Sequence, residues 1–160
     1  MLNQNKQIDF LNESKNSVKF NFIKIYSMWF SKLKKELEKY DLTHPQFVVI
    51  ASIYYLKQKN ENEQEINQKK ISYFSGIDAM TISQILKLLM KKDLIEINKS
   101  ENDLRSNNIS LTPEGIKKLE KVLPLVEKID KIFFYLNEED NITFLELLNK
   151  INKNNQVEDW

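Results

Sequence analysis

The sequence contains no cysteine, which removes disulfides, zinc–thiolate sites and thiol redox switches together. A single histidine, His44, is too few imidazoles for a zinc or non-haem iron centre. Two glycines and three prolines in 160 residues leave few interruptions and suit a helix-dominated fold. There is no Gly-rich phosphate loop and no recognisable pair of catalytic carboxylates. Nothing is present to carry a reaction, so no catalytic residue, metal or cofactor is expected. Neither a signal peptide nor a long apolar run is visible, and a cytoplasmic chain with no membrane partner is expected. A strong excess of one charge is also missing. The net charge is only +1, so a polyanion would have to meet a local basic face.

What is present is enough apolar material for a core. Hydrophobic residues make up 41%, which argues against wholesale disorder, and the length favours one domain over 1–160. From about Glu13 to Tyr40, Val18, Phe22, Ile25, Tyr26, Trp29, Phe30, Leu33 and Leu37 recur at helical spacing. The aromatic stripe on this helix is wider than one small domain can cover, which points to a share of it in a dimer interface. Asp41–Thr43 breaks the helix, and Thr43 caps a mostly buried one holding Phe47, Val48, Ile50, Ala51, Ile53, Tyr54 and Leu56, with Pro45 in its first turn. Polar residues from Lys57 to Glu65 read as a loop.

Both glycines fall in the stretch from Ile66 to Gly115, around which the chain is organised. Asn67 caps a short helix, Gln68 to Phe74, that stops at Ser75–Gly76. Asp78 caps a second helix, about Ala79 to Lys92. Its buried face is read as Ile82, Ile85, Leu86, Leu89 and Met90. Its outer face, Ala79, Met80, Thr81, Ser83, Gln84, Lys87 and Lys91, is short, polar and free of acidic groups, as suits a helix lying in a major groove. Asp93 ends the helix at a sharp turn. Strands Leu94–Ile97 and Asn108–Leu111 flank a polar loop from Ser100 to Leu104. Helix, turn, helix and two-stranded tongue make a winged helix-turn-helix, in a mainly α fold with a small β-hairpin wing.

Beyond the wing, Thr112 caps a long helix with Pro113 at its first position, running to Phe133–Phe134. Pro124 inside it should kink or divide it. Asn137 caps a last helix, Glu138 to about Ile151, whose Phe144, Leu145, Leu147, Leu148 and Ile151 share a face; the tail 152–160 is polar and unassigned. The organisation is then a winged-helix part at 42–115 between dimerisation helices at 13–40 and 116–151, paired with those of a second copy in a two-fold homodimer.

These residues resemble the MarR family of winged-helix regulators. Leu42-Thr43-His44-Pro45-Gln46-Phe47 is similar to the motif that opens the family's second helix, and Asp78 to Leu86 to its recognition helix. Asp103-Leu104-Arg105 followed by Leu111-Thr112-Pro113-Glu114-Gly115 matches its wing and the start of the following helix. The ordered combination covers roughly Leu42 to Leu119. The resemblance implies a homodimer on a palindromic operator in double-stranded DNA, usually repressing and often released by a small aromatic or phenolic ligand. The absence of cysteine excludes the thiol-based peroxide sensing known in some members. The chain departs from the pattern in carrying Asp93 where Gly is common, Gln84 where many members have Arg, and Asn107-Asn108 where a basic residue is common. Asp tolerates a left-handed backbone, so the turn survives; fewer charges imply a shallower salt dependence.

The residues assign themselves roles on duplex DNA. Only one of the 24 basic residues is an arginine, Arg105; its flat, weakly hydrated guanidinium suits a narrow A·T minor groove, with Asp103 positioned to hold it. Gln84 can pair bidentately with adenine, Thr81 or Ser83 can bond a base edge or phosphate, and Ala79 and Met80 can meet thymine methyls. Lys87, Lys91 and Lys99 are phosphate candidates, with Asn107 beside them on the wing. A·T-rich half-sites about one helical turn apart follow. Tyr26, Trp29, Phe30, His44, Phe47 and Tyr54 are the candidates for a ligand pocket, against the plainer reading that they are core. The competing reading of the whole chain is a winged helix that binds protein rather than DNA; such a module should show an apolar or acidic recognition face, which Thr81, Ser83, Gln84 and Lys87 do not form.

Overall fold

The computed structural model describes residues 17–59, 65–99 and 107–155. Helices α1 (Val18–Glu38), α2 (His44–Lys59), α3 (Gln68–Ser75) and α4 (Ala79–Lys91) precede an antiparallel hairpin of β1 (Ile95–Lys99) and β2 (Asn107–Leu111); α5 (Pro113–Phe133) and α6 (Glu138–Asn155) follow. The chain divides into two compact units, Met1–Glu127 and Lys128–Trp160.

Local signals set most of the helix ends in the first unit. Ser17 lies extended ahead of α1 and its hydroxyl accepts the Phe20 amide at 3.4 Å; the earlier start expected near Glu13 lies outside the described residues. After α1 the backbone reverses through Asp41, at φ +55°. Thr43 and Gln46 then form a reciprocal cap: the Gln46 amide donates to Thr43 Oγ1 at 3.4 Å, and the Thr43 amide donates to Gln46 Oε1 at 3.1 Å. Helix α2 does not stop before Lys57 as its polar composition suggests, but continues to Lys59.

Helix α2 is apolar on nearly every side, and a helix of that kind belongs inside. It lies against α1, α3, α4 and β2. Val49, Ile50 and Ile53 of α2 are buried with Leu33 and Leu37 of α1, Ile71 of α3, Ile82 and Leu89 of α4, and Ile109 of β2. Each such side chain stabilises the fold by roughly 1.5–3 kcal/mol through removal from water. Buried Ser52 satisfies its hydroxyl by donating to the Val48 carbonyl at 2.7 Å.

Three expectations change here. Met90 is 47% exposed rather than buried. It lies about 80° around the helix from Ile82, at the edge of the stripe that Ile85, Leu86 and Leu89 continue. Pro124 does not divide α5, which runs unbroken from Pro113 to Phe133. Pro124 is on the exposed side, where the carbonyl it leaves unpaired can meet water, while Val122 and Val126 beside it are buried. The strands also sit slightly later than expected, with β1 starting at Ile95 and reaching Lys99.

In the second unit, Asn137 caps α6 by accepting the Asp140 amide at 2.8 Å. Asp140 returns the favour through Oδ2, which accepts the Asn137 side-chain amide at 2.6 Å. The helix reaches Asn155, beyond the end expected at Ile151, because Asn152 to Asn155 continue the last turns. No residue of α6 is buried. Among the described residues, no helix is long and apolar enough to cross a membrane.

Candidate nucleic-acid interface

The interface is built from α3, α4 and the hairpin. Asn67 sits extended before α3 and its Oδ1 accepts the Lys70 amide at 3.0 Å. Gly76 ends the helix in the left-handed region at φ +70°, its amide donating to the Ser72 carbonyl at 2.9 Å. That turn is then stitched on both sides. Ser72 Oγ donates to the Ile77 carbonyl at 2.6 Å, and the Ile77 amide donates to Ser75 Oγ at 3.2 Å. Asp78 opens α4 by accepting the Thr81 amide at 2.9 Å, and the Gln68 side chain reaches across to the Ala79 carbonyl at 2.6 Å. The start of α4 is therefore fixed relative to the start of α3. Thr81, through its side chain first and its amide second, holds the Asp78 carboxyl below the usual aspartate range.

Along α4 the apolar stripe turns inward, and the residues read from the sequence as its outer face are accessible. Met80 is 75% exposed; Ala79, Gln84, Lys87 and Lys91 are exposed, and Thr81 and Ser83 are half-buried. The face carries no carboxylate of its own, so its electrostatic sign is set by the two lysines. Sequence reading passed over Tyr73, which stands 79% exposed on α3 beside this face.

The hairpin registers Ile95 against Leu111 and Lys99 against Asn107, both of the latter exposed at its far end. Asp103 and Arg105 lie outside the described residues. The root of the hairpin is well fastened. The Ile109 amide donates to the Ile66 carbonyl at 2.7 Å, and Asn108 Oδ1 accepts the Ile66 amide at 3.0 Å. Asn108, read from the sequence only as a missing basic residue, thus ties the hairpin to the segment ahead of α3. Asp93 does adopt the left-handed backbone, at φ +56°. Thr112 then joins three elements. Its amide donates to the Leu94 carbonyl at 3.2 Å, its hydroxyl donates to the Asp93 carbonyl at 2.6 Å, and the same Oγ1 accepts the Gly115 amide at 3.0 Å. A Cβ at position 115 would sit 2.0 Å from the Leu94 carbonyl oxygen, so only glycine lets α5 begin there.

Lys92 is not a phosphate candidate. It folds back onto Asp41, with Nζ 2.9 Å from Oδ2, and also donates to the Asp41 carbonyl. Lys118 donates to the neighbouring Tyr40 carbonyl at 3.2 Å. The hydrogen bond and charge of Lys92, with Lys118 adding to them, draw the Asp41 carboxyl below its usual range. No pattern in the sequence announces this joint, since its partners lie 51 and 78 residues apart.

The aromatic candidates separate. Tyr26 stacks on Phe30 at 5.7 Å, and His44 meets the edges of Trp29 and Phe30 at 5.2 and 5.4 Å. Phe47 is core, at 7% exposure. Tyr54 stands apart from both, lining a cavity of about 260 Å³ with residues of α2, β2 and the start of α5. Among the described residues, no cluster of His, Asp or Glu could hold a metal ion.

Comparison with known proteins agrees with this geometry. The profile of the family described as Transcriptional regulator SarA/Rot matches residues 31–122. The uncharacterized HTH-type transcriptional regulator YdcH of Bacillus subtilis (strain 168) is 41% identical over 106 residues, 66% of this chain and 70% of that one. The HTH-type transcriptional regulator SarZ of Staphylococcus aureus is 33% identical over 121 residues, covering 74% of this chain and 75% of its own. Among solved structures, the fold is similar to that of S. aureus MepR in a DNA complex. The TM-score is 0.76 at 24% identity, over 86% of this chain and 98% of MepR.

Proposed function

The chain belongs to the SarA/Rot family of transcriptional regulators, DNA-binding proteins on a MarR-type winged helix rather than enzymes, and from that premise we propose that it acts as a homodimeric repressor on an A·T-rich palindromic operator. The observation that carries this reading is the outer face of α4, accessible along its length, polar and lysine-bearing without a carboxylate. Laid in a major groove, Gln84 pairs with adenine, Thr81 and Ser83 bond base edges or phosphates, and Ala79 and Met80 meet thymine methyls. Lys87, Lys91, Lys99 and Asn107 contact the backbone. Arg105, held by Asp103, enters the adjacent minor groove.

The proposal of a homodimer is supported by apolar surface that the single chain leaves uncovered. On α1, Phe22, Ile23 and Met28 are each more than half exposed; on α6, Ile142, Leu145 and Leu147 are too. Isologous pairing would present two recognition helices to successive major grooves. Release by a small ligand with an apolar or aromatic body completes the proposal.

Selection of random duplexes by the purified protein, followed by sequencing, tests the reading. A two-fold A·T-rich motif with half-sites about 10 bp apart is expected. Enriched sequences that are G·C-rich and without symmetry would overturn the operator assignment. No enrichment at low salt would put a protein partner in place of DNA.

A further inference from the structure

The strongest unassigned feature is the cavity at the root of the hairpin. Ile53 of α2, Ile66, Ile109 and Leu111 of β2, and Ile116 of α5 give it an apolar wall. At about 260 Å³ it exceeds the ~150 Å³ apolar cavity known to take up benzene, so a ring or a short alkyl chain fits with room for a polar group. Lys57 is the one charged residue of the lining, and it has no carboxylate partner in the described residues. Glu96, whose Oε1 accepts the Ser110 hydroxyl at 3.0 Å, does not line the cavity. Asn108 adds a donor. Its Oδ1 is committed to the Ile66 amide, which fixes the orientation of the side chain and leaves its NH₂ unused.

We infer that this cavity is a binding site for a compact apolar carboxylate, with its body against the isoleucine wall and its charge on Lys57. An apolar body alone would leave the ammonium unmatched, and a dianion would find no second cation in the lining. The ligand-facing wall is β2, the strand that leads out of the hairpin loop, and β2 is tied to the body of the domain chiefly through Ile66. A molecule filling the space between β2 and α2 fixes how the hairpin is held. The sequence gave no sign of this site, because its wall is assembled from α2, β2 and α5 and only Tyr54 is shared with the aromatic candidates.

Titration of the full chain with hexanoate and with benzoate, followed by amide NMR shifts, tests the site, and the two arms separate an alkyl from an aromatic body. Because DNA is absent, failure here is distinct from failure of the operator proposal. Saturable shifts centred on Tyr54, Ile109, Leu111 and Ile116 are expected with at least one acid. Hexan-1-ol and benzyl alcohol should bind about tenfold more weakly, as should either acid to Lys57→Gln, the loss typical of removing one charge-assisted hydrogen bond. Ile116→Phe, which places a ring in the space, should abolish the shifts while the melting curve shows a folded protein. No shifts with either acid at millimolar concentration overturns the proposal. So do shifts centred on Tyr26 and Trp29, or equal affinity of acid and alcohol.

Discussion

The centre of the first unit and the helix α6 solve opposite problems with similar amounts of apolar side chain. Around α2 the isoleucines and leucines face one another, and Leu33, Ile50, Ile71, Ile82 and Leu89 are all but inaccessible. On α6 the apolar residues have no such company, and Ile142, Leu145 and Ile151 each remain more than half exposed. The first half of α1 behaves like α6, although its last turns are core. A surface of that kind costs solubility, and a monomer gains nothing from it. The difference teaches where the molecule is complete in one chain and where it awaits another.

The sharpest test of that contrast is a pair of truncations. Leu89→Ala should lower the unfolding free energy by about 2–5 kcal/mol in urea titrations. Leu145→Ala should leave monomer stability within about 0.5 kcal/mol and instead weaken self-association in sedimentation experiments. Equal losses of stability would erase the contrast. The two glycines sharpen it further. Gly115→Ala should cost about 3 kcal/mol, since its methyl meets the Leu94 carbonyl and backbone must move. Gly76→Ala has open space and should cost only about 1–2 kcal/mol, the strain of a left-handed backbone.

Function should follow a different map from stability. Arg105→Ala is expected to weaken operator binding about tenfold at fixed salt with an unchanged melting temperature. Unchanged binding would remove Arg105 from the interface. Lys87→Gln should reduce the slope of log affinity against log salt by about one, a smaller and sequence-independent effect. The smallest effect is at Asp78. Its folded carboxyl is held below the ordinary value of 3.8, so the capping contribution is complete above that value and is lost only as pH falls through the lower folded one. A carboxyl titration followed by NMR should give a midpoint under 3.8; a midpoint at or above it would show that the cap is not formed.

What was legible in the sequence was what depends on neighbours in the chain. Thr43, Asn67, Asp78, Thr112 and Asn137 each announce a helix because the side chain that caps stands directly before the amides it serves. Apolar periodicity placed Ile82, Ile85, Leu86 and Leu89 inward with equal success, and misjudged Met90 only because that residue sits at the margin of the stripe. What depends on distant partners was not legible. Nothing near Lys92 suggests Asp41, nothing near Asn108 suggests Ile66, and Gly115 looks like part of a helix start until the Leu94 carbonyl is seen against it. Pro124 was misread for a related reason. Its local penalty is real, but packed valines on the opposite side of α5 keep the helix continuous.

Thr112 sits where the returning strand ends, and its bonds to Asp93, Leu94 and Gly115 leave no slack between strand and helix. The hairpin therefore behaves as the long arm of a lever whose short arm is the first turn of α5. A load applied at the tip is felt as torque on that turn instead of being absorbed by a soft joint. A spin label or fluorophore on the exposed side of the first turn of α5 should thus report events at the tip of the hairpin without touching the nucleic acid.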